Sequence, residues 1–247
     1  MPTKTLTAEH TALLPEILTE GAASFGIELP SGACSSFETY RALLEKHGGE
    51  YNLTAITGIE DVVRLHFLDS LALFRVADFT NAKIIDIGSG AGFPGVPITL
   101  AEPSAILTLL DATEKRVAFL SELCAAAGIN ASCIHARAEE AAREVFLREG
   151  FDVAVSRAVA RLNVLCELCL PFVRVGGLFL AMKGFDSDDE ISKARGAIKT
   201  LGGILDNCYD YTIPGTDIRH RVVVIRKQTQ TPEKYPRRFA RIMKMPL

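Results

Sequence analysis

Apolar side chains recur at helical spacing in two stretches near the start of the chain, 8–25 and 37–47, with a Pro/Ser/Gly/Cys break from Pro30 to Ser36 between them. A third run, 59–75, carries Val62, Val63, Leu65, Leu68, Leu71, Leu73 and Phe74, enough apolar surface for a well-buried helix. From Ala82 the period changes. Short runs rich in Ile and Val predict strands at 83–87, 106–110, 132–135, 152–156 and 178–182, a weaker one near 204–211, and one at 221–225. Helix-length segments at 96–101, 114–127, 138–149, 162–172 and 188–201 separate them. Strand and helix in alternation imply parallel βαβ units, hence a doubly wound α/β sheet with helices on both faces. Only the turn around Pro214 and Gly215 separates the last two strands, so the final strand is expected to run antiparallel. The expected organisation is a helical cap over 1–77, a ligand-binding α/β core over 78–227 and a C-terminal tail over 228–247.

Composition changes this picture little. With 247 residues, 48% hydrophobic and 23% charged, the chain has the balance of an ordinary globular protein. Met1 to Ala8 lack the features of a secretory signal, and no stretch approaches the ~20 apolar residues of a membrane span, so a cytoplasmic protein with no membrane contact is expected. Six dispersed cysteines read as reduced, packed thiols, and no metal site is expected: Cys166 and Cys169 are close, but no second pair or histidine cluster completes a zinc set. A net charge of −3 excludes general stickiness for nucleic acid. The charge is uneven, however. Between Lys227 and Leu247 six basic residues face a single acid, Glu233, and of these Arg237, Arg238 and Lys244 are candidate phosphate contacts; a merely solvated tail explains the same composition.

The strongest local signal is Asp86-Ile87-Gly88-Ser89-Gly90-Ala91-Gly92-Phe93-Pro94-Gly95, directly after the first strand of the alternating region. Glycines there let the backbone turn tightly against a ligand at the carboxyl edge of the sheet, and Asp111 at the end of the next strand is placed to accept ribose hydroxyls. The spacing is Gly-x-Gly-x-Gly rather than the Gly-x-Gly-x-x-Gly of a pyrophosphate site, which disfavours a nicotinamide-dependent oxidoreductase. With an acid two residues ahead of the first glycine, the loop resembles motif I of the class I methyltransferases. Glu139 and Glu140 suit either an adenine-side loop or the first turn of a helix. The fourth strand ends Ser156-Arg157-Ala158-Val159, without the Asn/Asp-Pro-Pro-aromatic set of exocyclic-amine methylation or the cysteine of cytosine-C5 methylation. A ring nitrogen with its own lone pair needs neither.

Taken with Tyr51 to Ile56, His66 to Leu71, Leu110-Asp111 with Lys115-Arg116, Ala138-Glu139, Lys183-Gly184 and Tyr235-Pro236-Arg237, the chain resembles the glucose-inhibited division protein B family of bacterial 16S rRNA (guanine-N7) methyltransferases. The resemblance implies S-adenosyl-L-methionine as cofactor, held by Gly88, Gly90, Phe93, Asp111, Ala112, Ala138, Glu139 and Arg157. It also implies 16S rRNA, in the small ribosomal subunit or an assembly intermediate, as partner, with the protein expected as a monomer. His66, Asp69, Arg157 and Lys183 are candidates for positioning substrate, although a core histidine, an ion-pair arginine and a solvated lysine are the plainer readings of three of them. The tail departs from the family pattern, with Phe239, Ala240, Arg241 and Ile242 where a Pro-Gly-x-Pro turn is usual. A catalytically silent RNA-binding or assembly factor is the remaining alternative.

Overall fold

The computed structural model describes residues 8–51, 53–56 and 58–247. The reading of Met1 to Thr7, and Asn52 within the Tyr51–Ile56 motif, fall outside the described residues. Seven strands form one sheet: β1 (Lys83–Ile87), β2 (Ile106–Asp111), β3 (Ala131–His135), β4 (Phe151–Arg157), β5 (Val173–Gly184), β6 (Gly203–Thr212) and β7 (Arg219–Lys227). Their order is β3-β2-β1-β4-β5-β7-β6. All run parallel except β7, which pairs antiparallel with both β5 and β6. The order reverses between β1 and β4, so the crevice beyond their carboxyl ends is where this architecture binds ligands.

Two apolar layers cover the sheet. On one face pack α1 (Ala8–Ser24), α2 (Ala33–Tyr51), a helical run over 59–75, α5 (Gly95–Ala101) and α6 (Glu114–Ala127), and Leu18, Phe37, Tyr40 and Phe67 share a single buried cluster with Ile84, Leu107 and Val153 of the strands. The N-terminal helices therefore build their core jointly with the sheet. The run over 59–75 comprises α3 (Ile59–Val62), a π-helical stretch Val63–Leu68, α4 (Asp69–Leu71) and a 3-10 turn Ala72–Arg75. In its π segment the Asp69 N–H reaches back to the Arg64 carbonyl, a widened turn of the kind found at functional sites. The other face carries α7 (Ala138–Ala141), α8 (Leu162–Cys169), α9 (Asp188–Thr200) and α10 (Phe239–Lys244). Cys166 and Cys169 are fully buried packing residues there. No helix among the described residues is long and apolar enough to cross a membrane.

Two elements differ from the sequence-based expectation. The helix expected over 138–149 ends at Ala141, and the chain continues in turns to Glu149, whose φ is +51°. Val145 and Phe146, which would have supported a longer helix by burial, are 92% and 76% exposed. Strand β5 begins five residues earlier than expected, at Val173, because Gly176 (φ +87°) and Gly177 carry a bulge; a Cβ on Gly177 would stand 2.5 Å from the Asp152 carbonyl.

The tail is a packed strap rather than a free arm. Lys227 is fully buried, its Nζ donating to the carbonyls of Leu170 (2.7 Å) and Val173 (3.1 Å) and to the Thr231 hydroxyl (2.8 Å), with Glu149 at 3.1 Å. Arg148 donates to the carbonyls of Thr231 and Tyr235, and Arg143 to that of Pro236. Arg237 corrects its sequence-based assignment to RNA phosphate: its guanidinium and backbone N–H bind fully buried Glu167, at 2.6 Å for the shortest contact. A buried carboxylate cannot be left unpaired without a large penalty, so this arginine is committed to the fold. Arg238, Arg241 and Lys244 remain exposed.

Candidate functional site

At the switch point lies a cleft of about 510 Å³. Its lining includes Gly88, Gly90, Phe93, Asp111, Ala112, Ala138, Glu139 and Arg157, all eight residues singled out in the sequence, together with His66. The glycine loop leaves β1 with φ of +70° at Gly88 and +57° at Gly90, values that side chains rarely tolerate. It is pinned on both sides. Gly88 N–H and Ser89 N–H donate to the Leu110 carbonyl at the end of β2 (2.8 and 3.1 Å), and from α2 the buried Tyr40 hydroxyl donates to the Ala91 carbonyl (2.6 Å).

Asp111 is nearly buried, its Oδ2 accepting from Gly90 N–H (2.9 Å) and its Oδ1 from Thr113 N–H (2.8 Å). A carboxylate offers about four acceptor positions, so each oxygen keeps capacity toward the cleft. Glu139, 7% exposed, is held by Arg137 at 2.6 Å, and Arg137 lies 4.4 Å over the Phe239 ring. Through Phe239, the tail helix α10 supplies part of the cleft wall.

Beneath the loop, Asp86 is fully buried; Gly95 N–H donates to its Oδ2 at 2.8 Å, and its Oδ1 has no partner among the described residues. Burial pushes this carboxyl up to about 7 against the opposing pull of Gly95 N–H and the Arg157 guanidinium, with Asp111 adding to the rise. Since the folded state prefers the protonated form, the stability it contributes is fully present below the ordinary value of 3.8 and is lost as pH rises through about 7. Asp86→Asn, which mimics the neutral carboxyl, should therefore gain on the native protein in unfolding free energy, read by urea denaturation, as pH is raised from about 5 to about 8, by an amount of order a few kcal/mol. A difference that stays constant over that range would contradict the buried-acid assignment.

Arg157, at the end of β4, joins the two sides of the site. Its Nη1 donates to Asp69 Oδ2 (2.9 Å) and the Leu65 carbonyl (3.1 Å), its Nη2 donates to His66 Nδ1 (3.1 Å), and its guanidinium stands 4.7 Å over the Phe93 ring. Because arginine only donates, His66 Nδ1 accepts, and Nε2–H donates to the Thr54 hydroxyl at 2.7 Å. Burial and the Arg157 charge lower the imidazole to about 4, so His66 is neutral; it stacks on Phe93 with ring centroids 4.5 Å apart. The next residue, Ala158, has φ +57°, a strained backbone at the junction of the site.

Asp69 is 1% exposed and accepts from Arg157, from the Tyr211 hydroxyl (2.6 Å) and from His220 Nδ1 (2.7 Å). Burial alone would raise it, but the His220 hydrogen bond, the Arg157 charge and Tyr211 together hold its carboxyl below the usual value. Its carboxylate makes no hydrogen bond to His66 or to the glycine loop. Lys183 also departs from expectation: its Nζ donates to the Ala160 carbonyl and to Glu190, both at 2.6 Å, while Glu190 also accepts from Leu162 N–H. Lys183 thus braces the loop after β4, paired and largely buried rather than solvated.

A second cleft of about 460 Å³ adjoins the first and shares its wall of His66, Arg157 and Ala158; Asp69, Lys183 and His220 line only this second space. Tyr40, Tyr211, His220 and Phe239 are site residues that sequence reasoning missed or left unassigned. Tyr211 fell in the weaker strand expected near 204–211, and nothing local marked its partner.

A family model described as rRNA small subunit methyltransferase G (GidB) matches residues 33–214. Ribosomal RNA small subunit methyltransferase G of Acetivibrio thermocellus is 41% identical over 95% of this chain and 97% of that protein. Its namesake in Alkaliphilus oremlandii is 44% identical over 95% of this chain and 99% of its own length. Among solved structures, TrmN from Thermus thermophilus superposes with a TM-score of 0.51 at 21% identity, covering 72% of this chain and 52% of that one, a likeness of fold alone. On the family model and on relatives that align over nearly its whole length, this chain belongs to the rRNA small subunit methyltransferase G family.

Proposed function

We propose that the protein transfers the methyl group of S-adenosylmethionine to N7 of a guanine in small-subunit ribosomal RNA, acting in the cytoplasm. The observation that carries this reading is the convergence of the glycine loop, Asp111, Glu139 and Arg157 on one cleft, in a chain of this family. The residues present fit the cofactor. Asp111 keeps acceptor capacity for two hydroxyls, and the cleft falls within the ~300–1,000 Å³ usual for such ligands. When bound, S-adenosylmethionine supplies an electrophilic methyl on a sulfonium.

The protein's share is binding, orientation and exclusion of water. Asp111 accepts the ribose hydroxyls, the backbone of Gly88 and Gly90 allows close approach, and Ala112, Ala138 and Glu139 border the nucleoside side. Phe93, clamped between Tyr40 and His66 at 5.1 and 4.5 Å between centroids, fixes the wall nearest Arg157. Two N–H groups of Arg157 have no partner among the described residues and are available to a carboxylate or a phosphate. Guanine N7 attacks with its own lone pair, so no base is needed and proximity carries the rate. Neutral His66, with both nitrogens engaged, is suited to positioning rather than proton transfer. Exposed Arg238, Arg241 and Lys244 on the strap beside the cleft are assigned to RNA phosphates.

The test is incubation with labelled S-adenosylmethionine and unmethylated small-subunit particles, followed by nucleoside mass spectrometry. The expected product is 7-methylguanine at one position. A methyl on N1, N2 or a ribose would reject the proposed chemistry.

A further inference from the structure

We infer that the second cleft receives the base to be methylated and that His220 reads it as guanine, an inference that rests on the methyltransferase reading above. The argument begins with the shared wall. If the methyl donor occupies the first cleft, the attacking N7 must approach across His66, Arg157 and Ala158, the residues common to both spaces. The imidazole side of the purine then faces that wall. Its opposite edge, carrying N1 and N2, faces residues that line only the second cleft.

Among these is His220 on β7, whose side chain is one-third exposed. Its Nδ1 lies 2.7 Å from Asp69 Oδ1. An ionised carboxylate has no proton to give, so Nδ1 carries the hydrogen and donates it; an imidazole carrying that single hydrogen presents a lone pair at Nε2, and this is the form we assign to base reading. Nε2 has no hydrogen-bond partner among the described residues. Asp69 is itself immobilised by Arg157 and Tyr211, so the ring is fixed in both tautomer and direction. The cleft also supplies apolar surface for the faces of a flat ring: Ile56, Leu65, Met182 and Ile218. Ile218 is 42% exposed and so open to a ligand in this cleft.

An acceptor at this place distinguishes purines. Guanine presents donors at N1 and N2, whereas adenine presents a lone pair at N1, so the same nitrogen that binds guanine repels adenine. His220 is thus a specificity residue, and the Arg157–Asp69–His220 chain ties the cofactor cleft to the reading of the base.

The experiment uses small-subunit RNA with guanine at the modified position and the same RNA with adenine there, assayed with the native protein, His220→Asn and His220→Gln. Asparagine retains an N–H for Asp69 but ends short of the Nε2 position; glutamine reaches farther and returns an acceptor oxygen. His220→Asn should lower kcat/KM on the guanine RNA about 10- to 100-fold. It should shrink the guanine-over-adenine preference by a similar factor and leave affinity for S-adenosylhomocysteine and the melting temperature unchanged. His220→Gln should recover part of both the rate and the preference. An unchanged preference in His220→Asn overturns the inference, as does a loss of rate that tracks a loss of cofactor-product affinity or of thermal stability. A native protein that leaves the guanine RNA unmethylated overturns the methyltransferase reading, and this inference with it.

Discussion

Replacing Asp69 by alanine is expected to destabilise the protein by about 3–5 kcal/mol, the cost of removing one partner from a buried ion pair. The carboxylate is almost fully buried and holds three groups drawn from distant parts of the chain: the Arg157 guanidinium, the Tyr211 hydroxyl and His220. Alanine would leave a largely buried cation, a phenol and an imidazole without an acceptor, and each unpaired group adds its own desolvation penalty. Asp69→Asn keeps a carbonyl oxygen for one of the neutral donors and should lose less. Urea unfolding of the three proteins side by side measures this. A loss under about 1 kcal/mol for Asp69→Ala would mean that the cluster is solvated and contributes little to the fold.

Asp111→Ala should weaken binding of S-adenosylhomocysteine by about 5- to 150-fold, the effect of ~1–3 kcal/mol from leaving ligand hydroxyls unpaired in a buried site. The substitution also frees Gly90 N–H and Thr113 N–H, so the loop loses its anchor as well as the ligand its acceptor. Asp111→Asn retains an acceptor oxygen and should fall between the two. Calorimetric titration gives the affinities, and circular dichroism checks that the sheet is intact. Affinity within twofold of native in Asp111→Ala would remove this residue from the ribose role and, with it, the assignment of the cleft.

Helix α6 matched its expected limits at both ends, and the cause is local. Glu114 suits the first turn, and Gly128 stops the helix in the left-handed conformation at φ +71°. The helix expected over 138–149 failed for the opposite reason. Its apolar spacing was correct, but the neighbouring surface leaves Val145 and Phe146 in solvent, and periodicity without burial does not sustain a helix. Strand β1, the glycine loop and Asp111 were legible because their constraints lie within a few residues of one another. The roles of Lys183 and Arg237 were not.

By itself, then, the sequence determined the alternation of strands and helices, the turn at Gly88 and Gly90, and the acid at the end of β2. These depend on backbone freedom and on side-chain spacing over a turn or a strand. The tertiary structure alone decided what each charge is paired with. Arg237 meets Glu167 from 70 positions away, Asp69 meets Tyr211 and His220 from 142 and 151 away, and Lys183 meets Glu190 across a loop. The physical reason is the cost of burying an unpaired charge. It forces every buried ion to find a partner wherever the sheet order brings one within about 3 Å, and that order is a property of the whole chain.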